Sequence, residues 1–150
     1  MSTVVIAGAA GFIGSHLADY HISVGDTVVG IDNLATGSRS NVEHLVGHEN
    51  FQLLTADVSA ALPELPDTAT YVYHLASPAS PPQYHRLAIP TMMANSAGTQ
   101  HLLDYAARVG ARFLFASTSE TYGDPLVHPQ PETYWGNVNP VGPRSVYDEA

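Results

Sequence analysis

Three glycines stand three residues apart in Gly8-Ala9-Ala10-Gly11-Phe12-Ile13-Gly14, directly after the β-branched run Val4-Val5-Ile6. Between a strand and a helix this spacing suits a dinucleotide. Gly8 permits the tight turn, Gly11 lets a pyrophosphate approach the backbone, and Gly14 lets the helix pack close on the strand. The helix start, Phe12 and Ile13 included, offers unpaired N–H groups and a positive dipole end to phosphate. A structural turn with no ligand is the other meaning of such glycines. Asp32 ends the next apolar run, about 20 residues on, and favours the first meaning. A carboxylate there accepts hydrogen bonds from ribose hydroxyls and repels a 2′-phosphate, so NAD rather than NADP is expected. Asp57-Val58, after a third strand, would lie beside the adenine.

A second polar group, Ser117-Thr118-Ser119-Glu120, follows another apolar run, and Tyr147 lies later at a helix start. In a sheet that binds a dinucleotide, the ends of the fourth and fifth strands face the nicotinamide half, so these side chains could converge on it. A tyrosine removes a sugar hydroxyl proton when a nearby cation favours its phenolate. By residue type alone, Thr118 and Ser119 equally suit strand-end capping, and Tyr147 a packed aromatic.

The elements that must position these groups alternate. Strands are predicted at 4–7, 27–31, 51–54, 71–75 and 112–116. A helix is predicted from Gly11 to Val24, with Ile13, Leu17, Tyr20 and Val24 at helical spacing, closed by Gly25-Asp26. A short helix is predicted over 41–46, capped by Asn41, and a long one over 91–109, with Met92, Ala97, Leu102, Leu103 and Ala106 as its buried stripe. Pro78, Pro81 and Pro82 predict an extended loop. Residues 117–144, rich in proline, predict a long loop over the strand ends, and 145–150 the start of a helix. Strands alternating with helices call for an α/β fold, a doubly wound parallel sheet with right-handed crossovers.

Composition narrows the function classes. The 150 residues carry 14 acidic side chains against five basic ones, for a net charge of −9. All five are arginines, and lysine and cysteine are absent. An acidic surface repels phosphate backbones and anionic lipid, so neither nucleic acid nor membrane is an expected partner. The lack of cysteine excludes a disulfide framework and thiol catalysis. No apolar run approaches ~18 residues and no secretory signal is readable, so a cytoplasmic protein is expected. His44 and His48 stand at i, i+4 but lack a complementary third ligand, so no metal site is expected. His74, at the end of the fourth strand, reads as a satisfied core histidine.

Five segments together resemble a known family. These are Gly8 to Gly14, Asp32-Asn33-Leu34-Ala35-Thr36-Gly37, His74-Leu75-Ala76-Ser77-Pro78-Ala79-Ser80-Pro81-Pro82, Ser117 to Pro125, and Tyr147-Asp148-Glu149. They are similar to the extended short-chain dehydrogenase/reductases, which include the NAD-dependent epimerases and dehydratases. Leu75 to Pro82 and Tyr134 to Pro140 resemble its UDP-glucuronate decarboxylase branch in particular. The resemblance implies a Rossmann, NAD-binding fold. It implies cofactor contacts from Asn33, Thr36, Gly37, Leu75, Ala76, Ser77 and Tyr147 beside the glycines, Asp32, Asp57 and Val58. It implies substrate contacts from Pro78, Ala79, Ser119 and Arg86.

It also implies a cycle of oxidation at C4 of UDP-glucuronate, loss of CO2 and re-reduction to UDP-xylose, with Tyr147 as base, Thr118 as its hydrogen-bonding partner and Glu120 near the sugar carboxylate. The pair Ser119-Glu120 differs from the Asp-Glu of the dehydratases, and the epimerases usually lack a glutamate at position 120. Position 7 departs from the pattern, with Ala where Thr is common. The pattern also calls for a lysine four residues after Tyr147, one position beyond Ala150. On this reading residues 1–150 are the NAD-binding domain, incomplete, with its sheet truncated after about five strands and the C-terminal substrate-binding domain absent. Little turnover is expected from the chain alone, although the full-length family commonly forms homodimers. Two other readings stay open: a non-catalytic dinucleotide-binding protein, and another sugar-nucleotide epimerase or dehydratase.

Overall fold

The computed structural model describes residues 1–150, every residue of the chain. Five strands form one parallel sheet: β1 (Thr3–Ala7), β2 (Thr27–Asp32), β3 (Phe51–Thr55), β4 (Tyr71–His74) and β5 (Arg112–Phe115). Their order is β3-β2-β1-β4-β5. The chain winds outward from β1 in one direction and, after β3, crosses back to continue in the other. The order therefore reverses between β1 and β4, and a crevice opens there at the carboxyl ends of the strands. Register runs unbroken across the centre, with Val5 between Val29 and Val72. All three are apolar because a central parallel strand is covered on both faces.

Two core layers follow from the pleat. On one face Val5, Ala7, Val29, Ile31 and Val72 pack with Leu102, Tyr105 and Ala106. On the other, Val4, Ile6 and Val28 pack with Ala9, Ala18 and Leu45. Helix α1 (Phe12–Ser23) covers this second face, but not with the expected stripe: Ile13, Tyr20 and Val24 are exposed, whereas Gly14, Ser15, Ala18 and His21 are buried. Small residues let α1 lie close to the sheet. His21 is tolerated inside because its Nδ1 donates to Asp26 Oδ2 at 3.0 Å and its Nε2 lies 3.3 Å from the Tyr73 hydroxyl.

The remaining helices depart from the sequence expectation in instructive ways. Pro81 and Pro82 open α2 (Pro81–Arg86) in place of an extended loop, since proline at the first helical positions has no N–H to lose. The long helix is three pieces: α3 (Ala88–Met93), one π turn (Ala94–Gly98) and α4 (Thr99–Val109). The π turn rotates the buried stripe, so Thr91, Gly98, Leu102, Tyr105 and Ala106 face inward, while Met92 and Leu103 are exposed. The 41–46 segment is a 3₁₀ helix over Arg39–Leu45 whose cap is Ser38 rather than Asn41. Residues 117–144 are a loop carrying a 3₁₀ turn at Ser119–Tyr122, and α5 (Ser145–Asp148) follows. No helix is long and apolar enough to cross a membrane.

Candidate functional site

The glycine turn sits at the mouth of the crevice. Gly8 has φ +83°, and a Cβ there would come within 2.6 Å of the Leu75 carbonyl oxygen on the loop after β4. A Cβ on Gly14 would overlap the Gly8 carbonyl and Ala9 Cα. Glycine at these two positions is thus a steric requirement of closing the turn against both β4 and α1. The N-cap of α1 is Gly11, which offers no side-chain acceptor. The first helical N–H groups, on Phe12, Ile13 and Gly14, therefore have no partner within the helix and point out of its end. Such a helix end can hold an anion without any cation.

Asp32 stands beside it, 7% exposed at the end of β2. Its Oδ2 accepts from the Ala10 N–H at 2.8 Å, and its Oδ1 accepts from the Leu34 N–H at 2.8 Å. A carboxylate has about four acceptor sites, so about two remain for the paired hydroxyls of a ribose. The next acid, Asp57, accepts from the Ser59 hydroxyl and N–H, and from Asn33 Nδ2 at 2.9 Å. The Ser59 hydroxyl is the main reason its carboxyl lies below the usual range, against the opposing effect of burial.

The crevice has two compartments. Asp32, Asn33, Thr36, Gly37, Asp57, Val58 and Pro78 line a slot on the β2–β3 side. Phe12, Ile13, Gly14, Ala79, Thr118 and Tyr147 line a larger cleft on the β4–β5 side, of about 660 Å³, a size that admits a small molecule. Gly8, Gly11, Thr36, Leu75, Ala76 and Ser77 border both, so the two communicate across the glycine turn. Ser77 Oγ is buried and has no hydrogen-bond partner within the chain. A molecule in the cleft could pair with this hydroxyl.

Tyr147 reaches the larger cleft by stacking on Tyr84 of α2, with ring centroids 4.6 Å apart and planes 10° apart. Thr118 Oγ1 accepts from the Glu120 N–H at 3.2 Å, capping the 3₁₀ turn, so its own hydroxyl hydrogen is free to donate. Ser119 and Glu120 do not line either compartment. Glu120 is instead ion-paired to Arg144, which also lies 3.8 Å from Asp148 Oδ1. Arg86 is exposed on α2 and does not line the cleft itself, but donates to Gln83, which does. His74 is buried under the site, with Nε2 donating to the Ala94 carbonyl of the π turn at 3.1 Å. Burial is the main cause that holds its imidazole below the usual range, and the residue borders the larger cleft.

Two features of the site have no counterpart in the sequence expectation. The Tyr84 platform under Tyr147 carries no signal, because Tyr84 lies in a segment that three prolines mark as loop. The contact of Asn41, whose Nδ2 donates to the Ala10 carbonyl of the glycine turn at 2.8 Å, is hidden behind the more familiar role of asparagine as a cap.

Residues 4–150 match the NAD dependent epimerase/dehydratase family. The chain is 55% identical over 146 residues to UDP-glucuronic acid decarboxylase 1 of Xenopus tropicalis, covering 97% of this chain and 34% of that protein. It is 52% identical to UDP-glucuronic acid decarboxylase 2 of Arabidopsis thaliana, covering 97% and 32%. Among solved structures it superimposes on a UDP-glucose 4-epimerase of Thermotoga maritima, determined with UDP-glucose, with TM-score 0.75 and 29% identity, covering 98% of this chain and 47% of that one. The chain thus spans about a third of the length of these curated relatives. Parallel sheet, glycine turn, Asp32 and a match from the first strand to the last residue agree, and the chain belongs to the NAD dependent epimerase/dehydratase family.

Proposed function

We propose that this chain is the NAD-binding part of a UDP-glucuronate decarboxylase. The observation that carries the reading is the joined crevice: a half-satisfied Asp32 on the β2–β3 side, Thr118 with Tyr147 on the β4–β5 side, and the unpartnered helix start beside the glycine turn that both compartments share. The identity of 50–55% to UDP-glucuronic acid decarboxylases supports the choice of branch. Phe12, Ile13 and Gly14 would hold the diphosphate, Asp32 the adenosine ribose, and Asp57 and Val58 the adenine. Leu75, Ala76 and Ser77 would border the nicotinamide side. Bound NAD would supply a reversible hydride acceptor for the oxidation and later reduction at C4 of the sugar.

The chain's own part in that chemistry is proton handling. Tyr147 takes the proton of the sugar 4-hydroxyl, and the Thr118 hydroxyl donates to the oxygen that loses it. Oxidation turns the glucuronosyl unit into a β-keto acid, whose ketone accepts the electron pair released as CO2 departs. Glu120, drawn toward Arg144, stands outside the cleft lining although its neighbour Thr121 lines it, so a place near the sugar carboxylate requires the Glu120 side chain to leave Arg144. The complete reaction, its UDP-sugar substrate and any homodimer belong to the whole protein.

The test begins with cofactor binding. Calorimetric titration of NAD+ into the wild-type chain and Asp32→Ala is expected to show at least a tenfold weaker affinity for the variant, since hydrogen bonds to a charged group contribute about 1.5–3 kcal/mol. Equal affinities would remove Asp32 from the site. No binding by the wild type would overturn the dinucleotide reading for this chain.

A further inference from the structure

The peptide that precedes the phosphate cradle is held from three sides. The Ala10 carbonyl accepts two hydrogen bonds, from the Ser38 N–H at 3.0 Å and from Asn41 Nδ2 at 2.8 Å. At the other end of the same peptide plane, the Gly11 N–H donates to the Gly8 carbonyl at 3.1 Å. One plane back, the Ala10 N–H is bound by Asp32. Two donors use both lone pairs of the Ala10 oxygen, so the plane has no competing orientation in which water replaces them. Gly11 follows immediately and is the residue with the softest backbone. On its far side the Gly11 carbonyl is held by the Ser15 N–H at 3.0 Å, so fixing the plane before Gly11 completes the set of restraints that sets where the Phe12 and Ile13 N–H groups aim.

From this geometry we infer that Asn41 is a positioning residue for the anion cradle, acting through the Ala10 carbonyl without touching the ligand. The inference rests on the dinucleotide reading for the ligand but not for the grip itself. Asn41 lies 31 residues from Ala10 in sequence, on the 3₁₀ helix after β2. It caps nothing, because Ser38 performs that role, and it is exposed, so its replacement opens no cavity. A side-chain amide here does what no cap would: it joins the segment after Asp32 to the turn before the cradle. Asp32 and Asn41 thus grip adjacent peptides of the turn, one by its N–H and the other by its C=O.

The test uses the isosteric variant Asn41→Asp and the truncation Asn41→Ala. At neutral pH a carboxylate in place of the amide donates nothing and faces the Ala10 oxygen with lone pairs. NAD+ affinity of Asn41→Asp is expected to fall about tenfold at pH 7.5, and that of Asn41→Ala by about threefold to tenfold, the range of one lost hydrogen bond. A conservative control, Asn41→Gln, keeps a side-chain amide donor and should bind NAD+ to within about threefold of wild type, while Asn41→Ala does not. Rescue by the amide reports on the donor, because a merely structural defect would not be repaired by restoring an N–H.

A second measurement needs no ligand. Amide ¹⁵N relaxation on the chain alone should show lower order parameters for Ala10 to Ile13 in Asn41→Ala, with those of Thr99 to Val109 unchanged. Unchanged order in the turn would overturn the inference whatever NAD+ does. Lowered order with no NAD+ binding by wild type would sustain the grip and sink the dinucleotide reading instead. Binding by wild type with equal affinity in Asn41→Asp and Asn41→Ala would sink the inference alone.

Discussion

At the scale of single residues, the site is built mostly from backbone. Gly14 is decisive because there is no volume for a methyl group between α1 and the turn. Gly14→Ala is expected to abolish measurable NAD+ binding and to lower stability by roughly 1–3 kcal/mol, the usual range for overpacking. Urea unfolding and calorimetry on the same sample would check it, and a variant that binds like wild type would refute the tight-packing account. Such residues are legible in the sequence, because a glycine motif and an acid at a fixed distance encode a local geometry. Thr118 and Tyr147 are equally visible there. Ser77 is marked by family resemblance, but its unpaired buried hydroxyl is not, since burial depends on what the rest of the chain places around it.

Elements show where periodicity succeeds and where it fails. Apolar runs announce all five strands to within a residue at their ends; the central β1 and β2 are almost wholly buried because both their faces are covered, whereas the edge strands β3 and β5 are only partly so. Helix faces are less legible. Along α1 the apolar residues mark the outer face, and small residues plus one hydrogen-bonded histidine make the inner one. Along α4 the π turn decides between two adjacent leucines. Leu102 is fully buried against the sheet, whereas Leu103 is 41% exposed. Leu102→Ala should cost about 2–5 kcal/mol and Leu103→Ala less than about 1 kcal/mol, measured by urea denaturation. Similar losses at both positions would mean that the long helix runs without the π turn, burying both leucines in one stripe.

For the whole molecule, burial ties stability to pH. The His74 imidazole is held below its usual range by burial, so unfolding takes up a proton once the pH falls beneath the normal histidine value of about 6.5. Its contribution is complete above that value and declines as the pH drops toward the lower folded pKa. Asp26 is held below the usual carboxylate range, first by its hydrogen bond from His21 and then by the Ser2 N–H. That contribution is present above about pH 4 and is lost only in stronger acid. The urea midpoint is therefore expected to decline in two stages, from about pH 6.5 and again below about pH 4. His74→Gln should flatten the first stage relative to wild type, and an unchanged slope would remove His74 from the account.

By itself, the sequence determined the parallel sheet, the glycine turn, the paired acid and the polar residues at the ends of β4 and β5. Each of these is written in local spacing and residue type. Only the tertiary structure decided which groups meet across long intervals: Tyr84 under Tyr147, Arg144 on Glu120, His74 beneath the π turn and Asn41 on the Ala10 carbonyl. The physical reason is that a side chain's partner is chosen by packing around the sheet, and residues tens of positions apart leave no period in the sequence to record it.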